Sequence, residues 1–136
     1  MILLDTSVLS VVLRRKAPGP EELRLSERLQ ALLGSGQRVS LPGIVVQEVL
    51  SGIRESRQFE SIRGVLLRGY PVVTAAVGDH VLAADLVNRC RRRGVTASSV
   101  DALIAALAIN ARAQLFTADE DFGHIARCVP LRLLQG

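Results

Sequence analysis

The chain has 136 residues, 49% of them hydrophobic but only 3% aromatic, and 17 basic side chains against 13 acidic ones give it a net charge of +4. That length suits one domain, residues 1–136, with a core built from Leu, Val, Ile and Ala. No apolar run approaches a membrane span, the first residues lack the zones of a secretion signal, and the two cysteines and two histidines have no metal-ligand spacing; these features exclude a membrane protein and a zinc scaffold, and a cytoplasmic protein with free thiols at Cys90 and Cys128 is expected.

Sixteen of the basic residues are arginine. The arginine fork pairs with phosphate oxygens, so this composition admits a nucleic-acid ligand, and equally a genome that writes arginine for lysine. Met1 to Leu4 is an unbroken apolar run meeting Asp5, Thr6 and Ser7, which predicts a strand buried on both faces and a polar turn. Asp5 then lies at the ligand-binding edge of a central strand, or merely caps the next helix. That helix, Val8 to Lys16, is stopped by Pro18, Gly19 and Pro20. Glu21 to Leu33 is the next, with Leu23, Leu29, Leu32 and Leu33 as its stripe, followed by a strand from Arg38 to Leu41.

Pro42 fits a first helical position and opens a helix to about Ile53, with Glu48 on the flank of its apolar stripe and Gln47 on the other. A helix over Ser56 to Leu67, a strand over Tyr70 to Thr74 and a helix over Gly78 to Arg93 follow, the last with Val81, Leu82, Leu86 and Val87 inward. Its arginine-rich end and Gly94 are ordinary termination chemistry. In the helix from Ser98 to about Arg112 every residue between Ala102 and Ile109 is apolar, so it should be covered on all sides. Gln114 to Thr117 makes a fourth strand, Ala118 to Ala126 a turn and short helix, and Val129 to Leu134 an edge strand. Strands alternating with helices define an α/β class with a parallel sheet.

Asp5, Asp101 and Asp119 all fall just beyond a strand or in a first helical turn. Each has a structural explanation: Ser98 with Asp101, and Thr117 with Glu120, fit capping-box patterns, and an acid near a helix start gains roughly 0.3 to 1 kcal/mol. Parallel strand ends open on one edge, however, so these carboxylates can converge. Two carboxylates about 5 Å apart at an effective dielectric near 20 repel by roughly 3 kcal/mol, more than the dipole returns. Convergence therefore calls for a proton or a cation. Carboxylates with waters are the hard oxygen ligands that Mg²⁺ or Mn²⁺ accepts, and such an acidic pit in a basic surface suits a nuclease.

MILLDTSVL at Met1 to Leu9, QEVLSGI at Gln47 to Ile53, DALIAALA at Asp101 to Ala108 and FTADEDF at Phe116 to Phe122 resemble, in order and spacing, the four motifs of PIN-domain nucleases, in particular the toxin half of VapBC-type toxin-antitoxin pairs. The resemblance covers essentially the whole chain. It implies a three-layer fold with a central, mostly parallel five-stranded sheet, and an acidic pocket of Asp5, Glu48, Asp101 and Asp119 for Mg²⁺ or Mn²⁺, with Asp5 and Asp101 as the surest ligands. Thr6, Ser7 and Thr117 would orient water or a carboxylate, and Asp121 competes with Asp119. Ser98 and Ser99 stand where relatives often begin the helix with proline. The resemblance further implies RNA as substrate, a homodimer and an inhibiting antitoxin.

Two other readings meet the residues less well. Asp5 after a first strand is also where haloacid-dehalogenase-like phosphatases and response-regulator receivers carry an acid; the former repeat an acid where this chain has Ser7, and the only lysine, Lys16, is far from the late strand where receivers need one. A catalytically silent module that binds a partner protein or RNA is compatible with the basic surface, but has no need of converging acids. His80, His124, Asp85 and Asn88 read as structural or solvated, and Arg112 as complementing a helix end.

Overall fold

Residues 1–13 and 17–134 are described in the computed structural model. Its five strands are β1 (Ile2–Leu4), β2 (Val39–Pro42), β3 (Val72–Val73), β4 (Gln114–Phe116) and β5 (Arg132–Leu133). They form one sheet in the order β3-β2-β1-β4-β5, every neighbouring pair parallel. β1 is central, with Ile2, Leu3 and Leu4 completely buried, as its uninterrupted apolar run requires.

Seven helices connect these strands among the described residues: α1 (Thr6–Val12), α2 (Pro20–Gly34), α3 (Gly43–Ser51), α4 (Ser56–Gly69), α5 (Val77–Arg92), α6 (Ser99–Asn110) and α7 (Asp121–Ala126). The chain steps outward from β1 through β2 to β3, then returns to β4 on the other side of β1. By the right-handed rule for parallel crossovers, the two directions of winding carry their helices to opposite faces and give three layers, with α3 also meeting α6. The reversal falls between β1 and β4, and the crevice at their carboxyl ends is where such sheets accept ligands.

Several boundaries differ from the sequence expectation, each for a local reason. α1 begins at Thr6, not Val8, because Asp5 is its N-cap. The expected continuation of this helix to Lys16 falls on Arg14, Arg15 and Lys16, outside the described residues. Pro42 belongs to β2 and caps α3 with an extended backbone (φ −61°, ψ 141°), so the helix starts at Gly43. The third and fifth strands shrink to two residues each, as expected where a sheet runs out of partners. Leu23, Leu33 and Val81, read from periodicity as inward, are exposed; an apolar stripe wider than the neighbouring layer leaves its margin in water.

α6 matches its composition: Ala102 and the run from Ile104 to Ala108 are buried, with Leu103 and Ile109 half-buried. α5 and α6 end alike. Beyond α5, Val95 N donates to Cys90 O (2.9 Å) and Gly94 N to Arg91 O (3.0 Å), with Gly94 left-handed at φ 77°. Beyond α6, Ala113 N donates to Ala108 O (2.9 Å) and Arg112 N to Ile109 O (3.1 Å), but the left-handed residue is Arg112 at φ 53°. An L side chain pays for that conformation where glycine does not. Arg112→Gly is accordingly expected to raise stability by about 1 kcal/mol, read as a higher urea midpoint at unchanged slope.

Candidate metal centre

Asp5 is the buried corner of the site, only 4% exposed. It follows the last residue of β1, and its main-chain N donates to Phe116 O (3.0 Å), which locks the ends of β1 and β4 together. Its Oδ2 accepts from Ser7 Oγ (2.7 Å), Thr117 Oγ1 (2.8 Å) and, more distantly, Ser7 N (3.4 Å). Ser7 Oγ in turn accepts from Ala118 N (2.9 Å), and Thr117 Oγ1 from Asp119 N (3.0 Å). Ser7 and Thr117 thus spend their protons on Asp5 and their lone pairs on the loop after β4. Asp5 is thus the helix cap and also an acid at the carboxyl end of the central strand, with one oxygen doing the capping.

Thr117 does not cap α7 as the Thr117–Glu120 spacing suggested. Its hydroxyl stops at Asp119 N, and α7 starts later, at Asp121, with Glu120 at the N-cap making no side-chain cap bond. The loop turns on Asp119 instead: Asp121 N donates to Asp119 Oδ1 (2.9 Å). That turn brings Asp121 back beside Asp119.

Asp101 enters from the first turn of α6, which Ser98 caps by accepting from Asp101 N (3.1 Å). One carboxylate oxygen from each of Asp101, Asp119 and Asp121 lies within 4.8 Å of the others. The electrostatic consequence falls on Asp101, whose pKa is pushed up to about 6. Burial is the largest cause, followed by the negative charges of Asp5 and Asp119; the Ser98 hydrogen bond opposes them, and Asp121 adds a last push. Four acids, from the junction of β1 and α1, from α6, from the loop after β4 and from the start of α7, therefore share one electrostatic pocket.

Glu48, on α3, is placed differently. It is exposed, lies outside the carboxylate trio and is not among the charges that shift Asp101. Its link to the site is Thr6, whose hydroxyl donates to Glu48 Oε1 (2.8 Å) one residue beyond Asp5. Both line a cavity of about 280 Å³ that also takes in Ser10 and Gln58. Thr6→Val should cost under about 1 kcal/mol of stability, since the bond is exposed, read as a small shift of the urea midpoint.

The oxygen-only donor set fits a hard divalent cation. Mg²⁺ and Mn²⁺ favour carboxylates with water, whereas thiolate- or imidazole-preferring metals find no ligand in this group. The main-chain bond from Ala118 N to Ser7 carries no residue signature that sequence alone could have flagged, whereas Asp119 accepting from Asp121 N is an Asx turn of the kind aspartate favours.

A parallel five-stranded α/β domain with acids gathered at its switch point defines a carboxylate-centred class of site. The chain belongs to the PIN-domain family, whose model matches residues 2–127. Its structure is similar to that of FitAcB from Neisseria gonorrhoeae (22% identity, 99% of this chain and 97% of that one, TM-score 0.79). It is similar also to VapBC2 from Rickettsia felis bound to a DNA fragment from their promoter (20% identity, 98% of each chain, TM-score 0.77) and to VapC20 from Mycobacterium tuberculosis, a sarcin-ricin loop cleaving toxin (20% identity, 97% and 99%, TM-score 0.70). No curated protein matches in sequence.

Proposed function

We propose that this chain is a Mg²⁺- or Mn²⁺-dependent endoribonuclease, the toxin of a toxin-antitoxin pair. The observation that carries the reading is the approach of Asp101, Asp119 and Asp121 within 4.8 Å beside the buried Asp5. Such crowding is unfavourable without a cation, and PIN-family membership supports a nucleolytic use for it. Asp5, Asp101, Asp119 and Asp121 would hold the ion. When bound, it supplies Lewis-acid stabilisation of phosphate charge and activation of water.

The remaining work falls to the chain's own residues. Ser7 and Thr117 keep Asp5 fixed through Oδ2, leaving Oδ1 to the pocket. Thr6 engages Oε1 of Glu48, which leaves Oε2 to orient an attacking water or take its proton. The arginine-dominated surface draws in the phosphate backbone.

An antitoxin partner is supported by the toxin-antitoxin complexes among the fold neighbours. It is supported too by a groove of about 800 Å³ along α2, whose lining runs from Leu25 and Leu32 to Phe116, Thr117 and Ala118 at the edge of the acidic pocket. Val77 and Val81, 79% and 65% exposed one turn apart on α5, supply an apolar contact for the proposed homodimer. No helix among the described residues is long and apolar enough to cross a membrane; action on cytoplasmic RNA is part of this proposal.

The test is cleavage of a short RNA by the purified protein. We expect cutting with Mg²⁺ or Mn²⁺, loss of cutting with EDTA, and recovery when the metal is returned. Cleavage indifferent to EDTA would reject the metal assignment, and a protein that neither cuts nor takes up metal would be a silent binding module.

A further inference from the structure

The two cysteines have no part in the acidic site, and sequence alone treats them as unrelated free thiols. The fold brings them together. Cys90 lies in the last turn of α5, completely buried in the core, and Cys128 follows α7, half-buried and packed against that core. The two segments are tied beside them: Arg93 Nη1, at the end of α5, donates to Arg127 O (2.9 Å). The Cys128 Sγ also donates to His124 O (3.6 Å), which sets its side chain along the end of α7.

We infer that Cys90 and Cys128 form a thiol-oxidation site, in which a peroxide closes an intramolecular disulfide between the end of α5 and the segment after α7. The accessible partner reacts first. The Cys128 thiolate attacks one peroxide oxygen, the O–O bond breaks, and hydroxide leaves, giving a sulfenic acid. The Cys90 sulfur then attacks the Cys128 sulfur, the S–S bond forms as the S–O bond breaks, and the sulfenic oxygen leaves as water with the proton given up by Cys90. In sum, two thiols and one hydrogen peroxide give one disulfide and two waters, with two electrons passing from sulfur to oxygen.

The environment assigns this order. Burial first, then the charge of Cys128 and a hydrogen bond to it, raise the Cys90 pKa, while the Arg93 guanidinium lowers it. Cys90, completely buried, is shielded from peroxide, so the half-buried Cys128 meets the oxidant first. Once Cys128 is a neutral sulfenic acid, the repulsion is gone and the help from Arg93 remains. Because Cys128 follows the helix that begins at Asp121, the bond would also fasten the far end of the element that carries part of the acidic pocket.

The full chain, treated with a small excess of hydrogen peroxide at pH 8, should lose about 2 Da as a monomer, with both thiols unreactive to alkylation after the treated protein is unfolded in denaturant. Its melting midpoint should rise by roughly 5–10 °C, and dithiothreitol should reverse all three changes. Cys128→Ser, at a half-buried position, should fold and show none of them; Cys90→Ser should keep a single oxidisable thiol at Cys128. Oxygen addition on Cys128 with Cys90 still alkylatable would overturn the pairing, and so would disulfide-linked dimers as the sole oxidised product.

Discussion

Replacing Asp101 by Asn is expected to lower RNA cleavage by roughly 100-fold or more while making the metal-free protein harder to unfold at neutral pH. The two effects have one cause. At pH 7.5 the folded protein holds Asp101 as a carboxylate against burial and the charges of Asp5, Asp119 and Asp121. In the unfolded chain it escapes them. The folded pKa of about 6 exceeds the unfolded value of 3.8, so the folded state binds the extra proton between them. Stability from this group is fully present below pH 3.8 and is lost as pH rises through 6.

The undiscounted shift would correspond to about 3 kcal/mol, but Asp101 is only half-buried and solvent screens the repulsion, so a gain near 1 kcal/mol is the expectation for the Asn variant. That is a rise of about 3 °C in melting midpoint at pH 7.5 in EDTA, shrinking to nothing near pH 4. Added Mn²⁺ should stabilise the wild type and leave Asp101→Asn nearly unmoved, which reverses their order. A variant that cuts RNA at the wild-type rate would remove Asp101 from the machinery.

Asp5→Ala is expected to act on stability in the opposite direction, although Asp5 stands in the same pocket. Asp5 is 4% exposed, and its Oδ2 is the acceptor for Ser7 Oγ, Thr117 Oγ1 and the first-turn N–H of Ser7. Alanine leaves two hydroxyls without their acceptor, uncaps α1 and loosens the link between α1 and the loop after β4. The expected loss is about 2–4 kcal/mol, measured as the shift in chemical denaturation, together with abolished cleavage. The contrast separates two kinds of acid: Asp5 is held by donors and supports the fold, whereas Asp101 faces other acids and taxes it. Equal stability effects from the two substitutions would contradict that division.

Much of this was legible in the chain itself. The run from Ile2 to Leu4 suits a doubly covered strand, although periodicity alone does not separate it from buried helix, and the all-apolar stretch of α6 calls for cover on all sides; the structure has the strand and the enclosed helix. The acids could be located by type, at strand ends and in first helical turns, because a parallel sheet presents those ends on one edge. Their relations were beyond one-dimensional reading. Whether Asp119 or Asp121 enters the pocket depends on a turn in which Asp119 accepts from Asp121 N, and the result is that both do. Glu48 stays outside the trio and is tied to the residue after Asp5 by a hydroxyl 42 residues away in sequence, a contact no periodicity encodes. Pro42 was misplaced by one element because a proline satisfies a strand end and a helix start equally well, and the exposed Val81 and Leu33 show that a stripe states what can be buried, not how much surface its neighbour has to offer.

Anomalous diffraction from crystals grown with Mn²⁺ tests most directly whether these carboxylates are gathered to grip a cation. A peak bounded by the carboxylate oxygens of Asp101, Asp119 and Asp121, with Asp5 at its inner side, is the predicted result. Ordered carboxylates with no manganese among them at millimolar concentration, or manganese bound only elsewhere, would contradict it.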